Sequence, residues 1–305
     1  MKTATREPAK SAGAVTEPRC LLCGSAERRL RFRQGPHSVL DCSTCGLTYV
    51  SPRRESAALL REVYDAQYWR SPRPRERGYG DYRGDRELYA RTFERRWAAV
   101  RRHLAGPGRA LDVGCAAGEF LAVLASEGWE VLGLEPSESM AETAAERLGP
   151  GRVRAVTLEE AELEAGSFDL VALWDVLEHL PAPLAALRRV RELLAPGGKL
   201  VLETQDIRSP VARLCGRRWH HFKHDEHLAH FHPGTLRRAL EEAGLCLVEL
   251  GRRHAGKYVR GDFVVERSAR LHPRLPGLLR PWLGGAWSAY VNLGDEMIAV
   301  AEVAP

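Results

Sequence analysis

Ten residues constrain this chain more than any others: Leu111-Asp112-Val113-Gly114-Cys115-Ala116-Ala117-Gly118-Glu119-Phe120. Arg109 to Val113 reads as the end of a buried strand, Gly114 to Gly118 as a tight turn of small residues, and Glu119 onward as the first turn of a helix. A turn without bulky side chains lets a ligand approach the backbone closely. Phe120, Leu121 and Leu124 then recur at helical spacing, and Gly128 stands where a glycine commonly ends a helix. A glycine loop ahead of a helix N-terminus ordinarily cradles phosphate. Here the strand ends on a carboxylate, Asp112, which favours a ligand with a positive end.

The chain has 305 residues, room for one large domain and a small one. A hydrophobic fraction of 44% and a charged fraction of 28% are those of a soluble globular protein. No apolar run approaches the ~20 residues that span a bilayer. Met1 to Glu17 is polar, lacks the apolar stretch of a signal peptide and reads as a disordered tail, so the expected location is cytoplasmic. The net charge of +5 suits an anionic small-molecule substrate and is too small to demand nucleic acid or a membrane. A monomer is expected.

Four of the seven cysteines form two pairs, Cys20-Leu-Leu-Cys23 and Cys42-Ser-Thr-Cys45, each followed by glycine, Gly24 and Gly46. Four thiolates at this spacing suit a tetrahedral, structural Zn²⁺ ion. A redox dithiol is the competing reading, but no thioredoxin-like βαβ unit surrounds either pair. Val39-Leu40 and Leu47 to Val50 read as the strands of a zinc ribbon over residues 18–52.

Residues 53–108 form a helical connector, with helices expected at Ala57 to Tyr68 and Glu87 to Leu104, Trp97 as a core anchor, and Tyr79 and Tyr82 in a polar stretch that could act as a lid. From 109 to 305 the chain alternates strand and helix, which predicts an α/β, doubly wound sheet. Strands are expected at 109–113, 129–134, 153–157, 168–174, 199–203, 245–250 and 296–303, and helices at 118–127, 137–148, 182–194 and 234–243. In such sheets a ligand binds beyond the carboxyl ends of the strands. Glu135 closes the second strand 17 residues after Gly118, near the spacing at which an acid takes the ribose hydroxyls of a nucleoside. The run Phe168 to Trp174 ends in the polar cluster Asp175-Val176-Leu177-Glu178-His179.

Taken together, Asp112-x-Gly114-x-Ala116-x-Gly118, Glu135, Phe168-Asp169, Leu177-Glu178-His179-Leu180 and Leu194-x-Pro196-Gly197-Gly198 resemble the class I S-adenosylmethionine-dependent methyltransferases. Ala116 stands where that family usually has glycine. The resemblance implies a seven-stranded Rossmann-like sheet. It also implies that S-adenosylmethionine is held by Asp112, Gly114, Ala116, Gly118, Glu135, Leu158 and Trp174. A nicotinamide site would need Gly-x-Gly-x-x-Gly, which Gly114-Cys-Ala-Ala-Gly118-Glu does not supply.

The stretch Trp219 to His232 carries six histidines. Its spacing matches no standard metal signature, and His220, His221 and His230 are expected at solvent-facing edges. Glu226-His227 is the functional pair, a carboxylate beside a histidine base. The Cys₄ motif, Leu177-Glu178-His179 and Glu226-His227-Leu228-x-x-Phe231 together resemble zinc-containing methyltransferases that include C-methyltransferases of nucleotide-linked keto sugars. That likeness implies His227 as general base, accompanied by Glu226, with His179 and Tyr82 lining the pocket. O-methylation of a natural product is the other small-molecule reaction expected. A rival is an RNA- or protein-modifying enzyme that recognises its substrate through Arg28, Arg29, Arg31, Phe32 and Arg33 of the ribbon. Lys257 and Arg260 could meet an anionic substrate, or be ordinary surface charges.

Overall fold

A computed structural model describes residues 19–53, 69, 84–269, 272–285 and 287–304. The expected tail, the helix at Ala57 to Tyr68, and Tyr79 and Tyr82 lie outside the described residues. The chain opens with three short antiparallel strands, β1 (Arg28–Gln34), β2 (His37–Cys42) and β3 (Thr48–Ser51). Helix α1 (Arg86–Val100) follows, and then β4 (Arg109–Val113), α2 (Glu119–Ser126), β5 (Glu130–Leu134), α3 (Glu138–Leu148), β6 (Val153–Arg154) and β7 (Phe168–Trp174). The second half holds α4 (Pro183–Leu193), β8 (Leu194–Gln205), α5 (Pro210–Cys215), β9 (Ala229–His230), α6 (Pro233–Glu242), β10 (Leu245–Gly251) and β11 (Lys257–Arg260). It closes with α7 (Gly261–Ser268), α8 (Leu275–Leu283), β12 (Ser288–Val291) and β13 (Glu296–Val303).

Seven strands form one sheet in the order β10-β13-β8-β7-β4-β5-β6. β6, β5, β4, β7 and β8 run parallel, and β13 is antiparallel to both neighbours. The central strands are apolar on both faces, as helix-covered parallel strands must be: every residue of β4 after Arg109 is buried, and in β7 only Asp169 is exposed. The strand order reverses between β4 and β7. The loops leaving their carboxyl ends therefore diverge to opposite faces and open a crevice, with Asp112 opposite Gly133 on one side and Ala172 on the other.

Strand β8 begins at Leu194 rather than at 199, and two further boundaries differ from expectation for physical reasons. The third strand of the core stops after Arg154, because Thr157 turns into a loop closed by its own hydrogen bonds to Glu160. Strand β8 runs past Glu203 to Gln205, since β13 pairs with it as far as Gln205↔Glu296 and thereby buries the polar Thr204 and Gln205.

The Cys-rich hairpin does not stand apart. Its sheet takes a fourth strand from the far end of the chain, β9, through Thr48↔His230 and Tyr49↔Ala229. Leu22, Leu40, Leu47 and Tyr49 pack into the same apolar core as Leu173, Phe231 and Leu236.

Candidate active site

The glycine loop opens at the carboxyl end of β4. Gly114 (φ 73°), Ala116 (φ 47°) and Gly118 (φ 75°) all adopt the left-handed backbone region, so Ala116 accepts a strain that glycine would avoid. A Cβ at Gly114 would come within 2.8 Å of the Val176 side chain, and one at Gly118 within 2.8 Å of Leu148. The Glu135 carboxylate folds back over this loop, accepting from the backbone N–H groups of Ala116 and Ser137, each at 2.9 Å. Burial nonetheless lifts Glu135 to about 7. Burial, reinforced by Glu135 and Glu119, also pushes Asp112 well above the usual carboxylate range. Asp112 Oδ1 is buried without a hydrogen-bond partner among the described residues. Such an orphaned acceptor at the crevice fits a ligand that brings a cationic donor, as the ammonium of S-adenosylmethionine would. Trp174 and Leu158, the other two expected cofactor contacts, face different cores: Trp174 packs edge-on against Phe120 and Phe93, while Leu158 lies among Leu134, Val113 and Ala161.

The second half of the site gathers at the ends of β7 and β8. A short turn, Leu177–His179, directs His179 toward His227; their rings meet edge to face at 4.7 Å. His179 Nδ1 contacts the Glu226 carbonyl at 3.0 Å. A carbonyl only accepts, so the proton of His179 sits on Nδ1. The Glu226 carboxylate itself turns to Lys223, at 3.3 Å. The side chain that meets the His227 ring is instead Gln205, a residue not anticipated from sequence. Gln205 Nε2 lies 3.3 Å from His227 Nδ1, 3.2 Å from His230 Nδ1 and 3.3 Å from the Ala229 carbonyl. The Ala229 carbonyl only accepts and so fixes the amide orientation, while Oε1 lies 2.7 Å from Thr204 Oγ1, a hydroxyl shared with Glu178 Oε2 at 2.9 Å. An amide nitrogen carries two hydrogens, so three acceptors leave one unserved. The His227 Nδ1, at 3.3 Å, is thus one of three competitors for those two hydrogens. The available sequence signal was the polar triplet Thr204-Gln205-Asp206 closing an apolar strand.

Burial keeps both rings neutral: it pushes His227 well below the ordinary histidine range, with His179 next in effect, and brings His179 to about 4. His221 and His230 are also buried, against the expectation of exposed edges: His230 because β9 pairs with β3, and His221 because it packs beside Trp219, His227 and the start of β13. Glu178, His179 and His227 each offer a ligand atom within 4.8 Å of the others. Arg96, reaching in from α1, pairs with Glu203 at 2.6 Å. Lys257 pairs with Glu296 at 3.0 Å and Arg260 with Asp85 at 2.6 Å, so both cations have partners.

The four cysteines converge as their spacing predicted. Cys20 and Cys45, and Cys23 and Cys42, place their sulfurs 3.5 Å apart, and all four lie within 4.8 Å of one another. Ligands of a tetrahedral Zn²⁺ with bonds of ~2.3 Å sit about 3.8 Å apart, so the cluster fits such an ion. Gly24 and Gly46, both at positive φ, donate their N–H groups to the Cys20 and Cys42 carbonyls at 3.0 Å and tighten each knuckle.

Comparison with known proteins matches residues 82–250 to a methyltransferase domain family. Ubiquinone biosynthesis O-methyltransferase of Xanthomonas euvesicatoria pv. vesicatoria is 34% identical over 172 residues, covering 50% of this chain and 69% of that protein. The protein of the same name from Pseudomonas aeruginosa is 35% identical over 123 residues, covering 39% and 52%. The chain thus spans between about half and about two thirds of these relatives. Among solved structures, a Burkholderia thailandensis 1,6-didemethyltoxoflavin-N1-methyltransferase with bound 1,6-didemethyltoxoflavin and S-adenosylhomocysteine aligns with 92% of this chain and 100% of that one. The TM-score is 0.52 and the sequence identity 18%, a likeness of fold.

Proposed function

The chain belongs to the class I S-adenosylmethionine-dependent methyltransferases, and from that premise we propose that it methylates a hydroxyl of a small biosynthetic intermediate, with His227 removing the acceptor's proton. S-Adenosylmethionine, when bound, supplies a methyl group on a sulfonium whose departing thioether is neutral. The protein's task is then to position the acceptor and take its proton. The observation that carries this reading is the buried His227 beside His179, its Nδ1 lone pair held only by the overcommitted Gln205 amide. An acceptor hydroxyl displacing that amide would donate to Nδ1. The names of the O-methyltransferase relatives support oxygen as the atom methylated. Incubation with hydroxylated aromatic and sugar-derived acceptors, with product analysis by mass spectrometry and NMR, tests it; methyl groups appearing only on carbon or nitrogen would overturn it.

C-methylation beside a ketone is the second reading. It is favoured by the Cys₄ hairpin, whose strand β3 pairs with β9 close to His227. The same product analysis separates the two. The RNA- or protein-modifying rival loses its aromatic platform, since Phe32 packs edge-on against Phe222 at 5.0 Å and Arg29 and Arg31 turn to Asp41.

We assign Asp112 to the cofactor's ammonium and Glu135 to its ribose hydroxyls, both of which favour the ionised carboxylates. Cofactor binding at pH 7 is therefore expected to release protons, because burial holds Glu135 near 7 in the free protein. Calorimetry with S-adenosylhomocysteine in two buffers of different ionisation enthalpy should return different apparent enthalpies. Equal values would remove Glu135 from this role. The same raised value makes the free protein lose stability as pH rises from the ordinary 4.5 through about 7, because the folded state holds that proton more tightly than the unfolded chain.

A zinc ion held by Cys20, Cys23, Cys42 and Cys45 completes the reading, as a staple for the hairpin that supports β9.

A further inference from the structure

A second group of ligand-type side chains lies at the turn Trp219 to Phe222, where it meets the start of β13. His220 Nε2 is 3.6 Å from Asp295 Oδ2. His221 Nε2 is 3.9 Å from the same oxygen and 3.4 Å from Glu296 Oε1. These separations exceed the roughly 2.7–3.2 Å of N–H···O hydrogen bonds. His221 Nε2 is moreover buried with no hydrogen-bond partner among the described residues, a costly arrangement if nothing else binds there. Two ligands of a single ion bonded at ~2.0–2.1 Å in tetrahedral geometry lie about 3.4 Å apart. The His220–Asp295 distance of 3.6 Å is thus too long for direct hydrogen bonding and close to that of atoms sharing a metal, and His221, at 3.9 Å from Asp295, would draw in slightly on binding.

We propose that His220, His221 and Asp295 bind a divalent transition-metal ion of the zinc class, at a site separate from the four cysteines. The three ligand atoms lie within 4.8 Å of one another. Two imidazoles and one carboxylate favour zinc-like ions over Mg²⁺ or Ca²⁺, which select oxygen. Trp219 Nε1 donates to Asp295 Oδ2 at 2.8 Å, the outer hydrogen bond that fixes a ligating carboxylate. Glu296 is engaged by Lys257 at 3.0 Å and stands at the margin of the site. Three protein ligands leave a tetrahedral position open to water or to a ligand oxygen. That position adjoins the side of the crevice assigned above to the acceptor, because the His221 ring stacks over the His227 ring at 5.8 Å, 26° from parallel.

The site stands independently of the methyl-transfer reading, because occupancy is read without turnover. The full-length protein, loaded with zinc and freed of excess metal, should contain one more equivalent per chain than His221→Gln or the milder His220→Asn, by elemental mass spectrometry. With Co²⁺ in place of zinc, the equivalent lost in both variants should carry weak visible bands without thiolate charge-transfer absorption, which marks the cysteine site. Equal metal content in the wild type and both variants would overturn the proposal. So would loss of the thiolate-type bands in place of the others.

Discussion

Replacing His227 with alanine is expected to lower kcat by about 10²–10⁴-fold, the usual worth of a positioned general base, while S-adenosylhomocysteine affinity stays unchanged by calorimetry. The split follows from the layout of the crevice. Asp112 and Glu135 lie at the ends of β4 and β5, whereas His227 comes from the segment between β8 and α6 and touches neither. His179→Ala should cost less, because its Nδ1 proton is committed to the Glu226 carbonyl and its ring chiefly walls His227. The pH profile gives a second readout. Burial holds His227 well below the ordinary histidine value of 6.5, so the ring stays neutral as pH falls through 6.5, and the acid limb of kcat/KM should lie below that value. If His227→Ala turns over the true acceptor at close to the wild-type rate, the proton leaves by another route.

The cofactor half of this site was far easier to read from sequence than the acceptor half, and the difference is one of range. Asp112, Gly114, Gly118 and Glu135 belong to two adjacent strand–loop–helix units, where local turn geometry and apolar runs dictate position. His179 and His227 were found as residue types at a strand end and ahead of a helix. What orients them depends on long-range pairing: Gln205 reaches His227 because β13 extends β8, and Glu226 meets His179 through its backbone carbonyl. No spacing in the chain signals a backbone contact across 47 residues. The burial of His221 and His230 was hidden for the same reason, since His230 is covered by a hairpin nearly two hundred residues earlier and His221 by the start of β13, more than seventy residues later. Polar side chains read in isolation look like surface, and tertiary pairing decides otherwise.

Removing the metal assigned to Cys20, Cys23, Cys42 and Cys45 is expected to lower the melting midpoint by about 5–15 °C and to abolish turnover until zinc is restored. Three strands this short bury too little to hold a sheet alone. β1 has a single half-buried side chain, Phe32, so the hairpin depends on its knuckles and on its contact with the core. A loss of activity is expected as well as a loss of stability, because the hairpin is continuous with the base. Val50 donates its N–H to the Leu228 carbonyl at 3.0 Å, and Leu228 donates to the Glu178 carbonyl at 2.9 Å, with His227 next in the chain. Freeing β3 from β9 would release the segment that aims His227 and leave the glycine loop intact. Zinc removal with a chelator, or Cys23→Ser, should therefore cut kcat sharply while S-adenosylhomocysteine still binds. A drop in melting temperature with kcat preserved would make the hairpin a staple only, and would sever the link between metal and base.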